Sequence, residues 1–404
     1  MSNLIVVINA GSATVKFAVY DVADGGDVRQ ASHRGIAELS ADGARFSVVN
    51  ERGAVLVDQP IDIESSRSIA IQELLDYSLK WLKRCFVATL MAFGHRVVHG
   101  GDAFGEPILL NDQVLAQLES YVPLAPLHQP YNLAAIRAIQ QSWPDIPQVA
   151  CFDTAFHLTQ PRLARMFGLP VEYFDEGVKR YGFHGLSYEF IASVLPNYLG
   201  DLADGRVIVA HLGSGASLCA MRERRSVATT MGFTALDGLL MGTRCGAIDP
   251  GVILHLLIEK KLSAEQITDV LYRRSGLLGV SGFSADMREL LDSDSPRAAE
   301  AIALFVYGAA RQIGSLIAAL GGLDALIFTG GIGSHSAAIR QRICESSAWS
   351  GIHLDSTANV AHETRISAAD SSVSVWALPT DEEQIIAGHT LKLASNSVAS
   401  PANQ

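Results

Sequence analysis

Cationic residues are the scarcer charge in this 404-residue chain: 31 Lys and Arg stand against 42 Asp and Glu, a net charge of -11. That balance argues against a general nucleic-acid binder, although local arginines can still hold a small anion. Cysteine is scarce too. The five (Cys85, Cys151, Cys219, Cys245 and Cys344) are scattered and form no C-x-x-C pair. The pattern excludes a disulfide scaffold or a zinc site and fits reduced thiols in a cytoplasm. No uninterrupted apolar run reaches membrane-spanning length; the most apolar stretch, Ala301 to Phe328, is broken by Arg311, Gln312 and Asp324. The start, Met1-Ser2-Asn3 ahead of Leu4 to Ile8, has neither the basic segment nor the long apolar core of a signal peptide. The expectation is a cytoplasmic protein with no membrane and no nucleic acid among its partners.

What is present suits a folded chain of two or three domains. Hydrophobic residues make up 49% and charged residues only 18%, so cores are well supplied and wholesale disorder is excluded. Short apolar runs alternate with longer helical patterns, which reads as α/β. Strands are expected at Leu4–Ile8, Lys16–Tyr20, Phe93–His99, Gln148–Phe152, Val207–His211, Ser217–Met221, Ala325–Thr329 and Val373–Leu378. Helices are expected at Ile69–Leu82, Asn111–Tyr121, Asn132–Gln141, Tyr188–Tyr198, Ala298–Ala319 and Ala337–Glu345, with a frayed tail from Ala394.

One internal echo organises the rest. Leu4 to Tyr20 reads as strand, Asn-Ala-Gly-Ser-Ala-Thr, strand; Val207 to Met221 reads as strand, Leu-Gly-Ser-Gly-Ala-Ser, strand. The repeat suggests two duplicated lobes, each opening with a hairpin whose glycine turn faces a cleft and offers N–H groups to phosphate oxygens. Neither turn is a P-loop or a dinucleotide fingerprint, because a strand rather than a helix follows each.

Several residues carry chemistry beside a plainer reading. Lys16 can meet phosphate or stay a solvated strand lysine. Strand alternation puts Arg96 and Val98 on one face, able to hold a carboxylate head over a short apolar tail. Arg244 lies in an almost uncharged stretch and needs an anion, either a ligand or Asp237 or Asp249. His184 falls in a tight turn before a helix that Ser187 would cap. Asp153 follows a strand, either as an acid at the sheet's C-terminal end or as a helix N-cap. A glycine turn follows Ala325–Thr329. Thr380-Asp-Glu-Glu383 reads as a capping box, with Thr380 as cap and Glu383 reaching back, which leaves Glu382 open as a Mg²⁺ carboxylate.

Taken together, INAGSATVKF, GHRVVHGG, PLAPLH, FDTAFH, RYGFHG, HLGSGAS, MGFTALDGLLMGTR, GVSGFSADMREL, FTGGIG and PTDEE resemble the acetate kinase family of the sugar kinase and actin superfamily, in the family's order and approximate spacing. The resemblance implies two duplicated ribonuclease H-like (actin-like ATPase) α/β lobes around a central nucleotide cleft. The first would be residues 1–150 completed by a C-terminal helix at about 385–404, the second 151–384. It implies reversible phosphoryl transfer between ATP and acetate, giving acetyl phosphate and ADP, with Mg²⁺ (or Mn²⁺), in a homodimer. By the same resemblance Asn9 and Glu382 are magnesium-site residues, and Lys16, Ser12 and Thr14 belong to the phosphate turn. Arg96 binds substrate, Asp153 is the catalytic acidic residue, and His184 and Arg244 stabilise the transition state. His211, Leu212, Gly213, Ser214 and Gly215, then Asp286, Met287 and Arg288, then Gly331, Ile332, Gly333, Ser334 and His335 match the ATP segments. Val98, Leu127 and Phe183 match the pocket for the methyl group.

The chain departs from the family pattern at four places. Ser214 stands where HLGNG has Asn, and Ser334-His335 where GIGEN has Glu-Asn, both in nucleotide segments. Ala235 replaces a pocket proline, and Thr14 replaces Ser. The smaller Ala235 raises propionate as a competing acceptor. A non-catalytic, nucleotide-gated binding module is the other alternative, but it has no use for Arg96, Arg244, His184 and an apolar pocket together.

Overall fold

The computed structural model describes residues 3–23, 27–40, 43–63, 67–86 and 90–398. The run LIVVINA becomes β1 (Leu4–Ala10), almost wholly buried, as a strand covered on both faces should be. It pairs antiparallel with β2 (Thr14–Val22) and parallel with β6 (Leu90–Val97). β3 (Val28–Ser40), β4 (Gly43–Asn50) and β5 (Val55–Ile61) extend one side, and β8 (Gln148–Phe152) and the short β7 (Ile108–Leu109) the other. The resulting order is β5-β4-β3-β2-β1-β6-β8-β7. A second sheet runs β11-β10-β9-β12-β13, from β9 (Val207–Leu212), β10 (Ala216–Arg222), β11 (Arg225–Thr229), β12 (Ala325–Thr329) and β13 (Ser374–Ala377).

The two sheets share one plan. In each, three antiparallel strands (β3-β2-β1, β11-β10-β9) are followed by two parallel ones (β6-β8, β12-β13). Duplicated lobes of the actin-like ATPase kind have this form. The chain divides into two compact units, Met1–Ala155 with Asp381–Gln404, and Phe156–Thr380. Each unit takes the helix that follows the other's last parallel strand in sequence. Gly185–Leu199, after β8, packs in the second unit through Tyr188, Ile191 and Leu195. Glu382–Val398, after β13, packs against β1, β6 and β8. There a Cβ on Gly94 would collide with Ile386 and Thr390, so the helix rests on bare strand backbone.

The first unit's core joins Val6, Ile8, Phe17 and Phe93 to Leu74 and Leu82 of the helix Arg67–Phe86. In the second unit the 25-residue helix Pro296–Leu320 lies against β9, β10 and β11. It is long and apolar enough to cross a membrane by composition, yet it buries a stripe from Ala298 through Phe305 and Ile313 to Leu320.

β3, β4 and β5 are absent from the sequence expectations. β3 has few large apolar residues because its inward positions are small: Ala31, Gly35 and Ala37 are buried, and a Cβ on Gly35 would strike the Phe17 ring. The expected frayed tail is also corrected. The last helix continues through Ala394, which is fully buried, to Val398, and residues 399–404 lie outside the described residues.

Candidate functional site

In the first unit the ends of three neighbouring strands meet one guanidinium. Arg96 is the penultimate residue of β6, Asp153 directly follows β8, and Asn9 lies near the end of β1. Arg96 donates from Nε to Asp153 Oδ1 at 3.0 Å, from Nη2 to Oδ2 at 2.6 Å, and from Nη1 to Asn9 Oδ1 at 3.3 Å. Glu382 Oε2 lies 4.0 Å from Nε. Burial opposes the arginine's charge, but Asp153 and Glu382 outweigh it and hold the pKa above its ordinary value. Asp153 is engaged by this pair, with its side chain 2% exposed. Asn132 fixes the surround, accepting from the Val98 N–H at 3.0 Å and donating to the Ala10 carbonyl at 2.7 Å.

Glu382 is presented differently from the expected capping box. Asp381, not Thr380, caps the last helix by accepting from the Gln384 N–H at 3.0 Å, and Glu383 pairs with Arg34 of β3. Arg34 also holds Asp381 at 2.7 Å. Both neighbours of Glu382 are thus tied to one strand. Glu383 is half-buried, and its pKa is raised by that burial, against the pull of Arg34. Lys16 is exposed on β2 opposite Asn9. Ser12 is exposed and Thr14 half-buried in the turn closed by Gly11 N–H to the Thr14 carbonyl at 2.8 Å. Val98 is buried and Leu127 half-buried; Phe183, the third expected pocket residue, belongs to the second unit and is buried there.

Among the described residues no three His, Cys, Asp or Glu side chains group as metal ligands. Asn9 and Glu382 instead offer an amide and a carboxylate oxygen beside Arg96, with Asp153 on the same guanidinium. Few, hard oxygen donors fit Mg²⁺, which keeps most of its waters and binds phosphate oxygens.

The second unit brings together another group around Gly215. A Cβ there would lie 2.7 Å from Arg244 Nη2 and 3.2 Å from His184 Nε2. His184 takes a left-handed backbone (φ 60°) as the residue preceding the helix Gly185–Leu199. Ser187 is therefore inside that helix rather than its cap, and its Oγ meets His211 Nδ1 at 2.8 Å. His184 Nδ1 meets Ser217 Oγ at 2.8 Å, and its ring stacks on His211 with centroids 4.3 Å apart. Arg244 donates from Nη1 to the Ala235 carbonyl at 2.6 Å. The two acids considered for it are used elsewhere: Asp237 pairs with Arg180, and Asp249 caps the helix Pro250–Ile258.

The expected ATP segments adjoin this group within the unit. Gly213 N–H closes on the Gly215 carbonyl at 3.0 Å, and Gly242 N–H reaches the Ser214 carbonyl at 3.0 Å. Gly242 also sits beside Ala285, next to Asp286, which caps the helix Met287–Leu291 and pairs with exposed Arg288. A Cβ on Gly213 would lie 3.9 Å from the Gly331 nitrogen. The glycine turn after β12 is itself helical, Gly330–His335.

Supporting residues were missed in the sequence. His157, the last letter of FDTAFH, donates from Nε2 to the Phe183 carbonyl at 3.0 Å and faces Ser226 Oγ from Nδ1 at 2.9 Å. Burial pushes its pKa down to about 4, so it is neutral. Ser217 and Arg34 are polar residues within strands, with no period to mark them; Asn132 shares the buried stripe of the helix Gln129–Ser142 with Leu133, Ile136 and Ile139. Arg340 had a signal: it shares the buried stripe of the helix Ala337–Ser346 with Ile339, Ile343 and Cys344.

Two lobes sharing a five-strand plan, one holding an arginine–carboxylate group and the other a glycine turn with arginine and histidine, define an actin-like ATPase-fold phosphotransferase. The sequence profile of the acetokinase family matches residues 4–388. A curated acetate kinase of Rhodopseudomonas palustris is 52% identical over 408 residues, 98% of this chain and 99% of the relative. One from Rickettsia felis is 42% identical, with 97% and 100% covered. The crystal structure of Porphyromonas gingivalis acetate kinase superposes with TM-score 0.84 at 35% identity, over 97% of this chain and 99% of that one. A propionate kinase from Francisella tularensis gives 0.87 at 35%, over 96% and 99%. The chain belongs to the acetokinase family.

Proposed function

We propose that the protein transfers the γ-phosphoryl group of ATP to acetate, reversibly, giving acetyl phosphate and ADP. The observation that carries this reading is the placing of Arg244 Nη2 and His184 Nε2 close against the backbone of Gly215: a guanidinium and an imidazole nitrogen meet at a glycine turn, the kind of backbone that serves phosphate oxygens. Phosphoryl transfer demands positioning and charge neutralisation more than covalent help. Acetate is ionised at neutral pH, so its oxygen attacks phosphorus without a base as the bond to the β-phosphate oxygen breaks.

In this reading Arg96 exchanges part of its hold on Asp153 for the acetate carboxylate, with Val98, Leu127 and Phe183 receiving the methyl group. Lys16, Ser12 and Thr14 meet phosphate oxygens, and 211–215, 286–288 and 331–335 hold the nucleotide on the second unit. Asn9 and Glu382 are the residues that would hold Mg²⁺, and Asp153 would act beside them by fixing the Arg96 guanidinium. When bound, the ion neutralises phosphate charge.

Propionate is favoured as a second acceptor by Ala235 in place of the family's proline, and by the likeness to the Francisella propionate kinase. One methylene in an apolar pocket is worth about 1–3 kcal/mol. Acetate remains our choice. A second copy of the chain is the proposed partner, since Pro250–Ile258 buries no residue and exposes Val252, Leu254, Leu257 and Ile258. The cytoplasm is the proposed compartment.

The test is acyl-phosphate formation, trapped as hydroxamate, with ATP, GTP or pyrophosphate offered to acetate, propionate and butyrate. The highest kcat/KM with ATP and acetate is expected. Preference for propionate would make Ala235 the pocket determinant, and no product from any pair would overturn the kinase reading.

A further inference from the structure

Among the described residues Arg340 is the largest fully buried side chain, and its bonded partners include no carboxylate. All five of its N–H donors are used. Nη1 donates to the carbonyls of Gly333 at 3.0 Å and Ser334 at 2.8 Å. Nε reaches Asn359 Oδ1 at 2.8 Å, and Nη2 reaches the Asn359 carbonyl at 3.0 Å and His362 Nδ1 at 3.3 Å. Asn359 is itself locked, donating from Nδ2 to the Ala337 carbonyl at 2.9 Å. Every acceptor is formally neutral, and burial lowers the arginine's pKa.

A buried cation satisfied wholly by carbonyl-type dipoles is costly to place and demands close geometry. Here it sits where a positive charge is most useful, at the C-terminal end of Gly330–His335, whose last carbonyls lack helical partners. That helix is too short to keep its shape alone, and three of its first four residues are glycine. Its preceding residue, Thr329, supplies no side-chain cap. The fixed end is therefore the one Arg340 holds, while Gly331 stays open: a Cβ there would meet nothing within 4 Å.

We infer that Arg340 is a positioning residue for nucleotide binding, pinning the carbonyls of Gly333 and Ser334 so that the turn from Gly331 to His335 keeps one shape. This rests on the proposal that the segment contacts the nucleotide. It also explains how Ser334 and His335 can differ from the family pattern without loss of the turn, because Arg340 grips backbone rather than side chains. The arginine touches no substrate; it acts through the segment it holds.

The experiment is ADP binding by calorimetry on the full chain, with KM and kcat measured alongside, for Arg340→Lys, Arg340→Met and Gly331→Val. Arg340→Lys keeps a charge and some carbonyl contact but cannot fork to Asn359. We expect it to weaken ADP binding and raise the KM for ATP by about tenfold, a misplacement effect, with kcat and the KM for acetate within about twofold of the parent. Arg340→Met should do more, provided it folds; the lysine variant decides if it does not. A lower melting temperature with parental ADP affinity and KM would overturn the inference and leave Arg340 a packing group. Gly331→Val separates that failure from failure of the nucleotide reading. If the segment binds nucleotide, the valine weakens ADP whatever Arg340 does; if neither Gly331→Val nor Arg340→Lys changes ADP binding, both readings fall.

Discussion

Two buried arginines, Arg96 and Arg340, solve the same electrostatic problem in opposite ways. Arg96 lies against Asp153 and close to Glu382, and its pKa is raised despite burial. Arg340 has five neutral acceptors, and its pKa is lowered. Both stay protonated at neutral pH. The difference lies in what each can exchange. A guanidinium held by a carboxylate has been matched to an anion and can take another, so Arg96 suits a substrate carboxylate. A guanidinium held by fixed carbonyls has nothing to trade, so Arg340 serves as a clamp. Arg244, whose Nη2 lies beside Gly215, is grouped with Arg96 in our proposal as an arginine placed for a ligand.

The contrast can be sharpened by substitution. The largest effect is expected from Arg244→Ala: loss of a transition-state cation should lower kcat by about a thousandfold, with an unchanged circular-dichroism spectrum and melting curve. Near-parental turnover would move Arg244 to the clamp class. Next comes Asp153→Ala, which strands Arg96 in a site where its side chain is only 24% exposed. Breaking such a pair costs about 3–5 kcal/mol, readable as a lower urea midpoint. A midpoint equal to the parent's would mean that Glu382 alone satisfies Arg96.

A smaller effect comes from three buried histidines whose charged form burial disfavours. His95, His99 and His157 are each pushed down to about 4 by burial. Above their unfolded pKa of about 6.5 they are neutral in both states. As pH falls from there towards 4 the unfolded chain binds protons that the folded chain refuses, so their contribution to stability is lost in that window. His157→Asn should therefore flatten the decline between pH 6.5 and 4 by about 1.4 kcal/mol per pH unit at most; an unchanged slope would contradict it. The smallest effect belongs to Arg45→Ala, whose pair with Asp58 lies on exposed strands. Its melting temperature should match the parent's, because such pairs add little.

The sequence revealed the second unit's sheet and the motif residues more readily than the first unit's outer strands. β1, β9 and β12 are continuous apolar runs, which periodicity finds. β3 is stabilised by pairing on both sides and by small residues under Phe17, a tertiary arrangement that composition hides. Helix ends also differ from the sequence expectation where tertiary bonds prevail over local ones: Glu383 answers Arg34 rather than its own helix start, and Ser187 answers His211. Glycine turns and isolated charges marked the candidate site because their chemistry is local. His157 acts on a backbone carbonyl, and such a bond leaves no trace in side-chain pattern; Arg340 is marked only by its place in the buried stripe of its helix.

The most direct test of the account is Arg96→Ala, assayed for ADP affinity and for acetate-dependent hydroxamate formation on the same preparation. The account predicts parental ADP binding, with kcat/KM for acetate lower by at least about a hundredfold. Acetate turnover equal to the parent's would contradict the assignment of Arg96 and, with it, the distinction between an arginine kept for substrate and an arginine kept for shape.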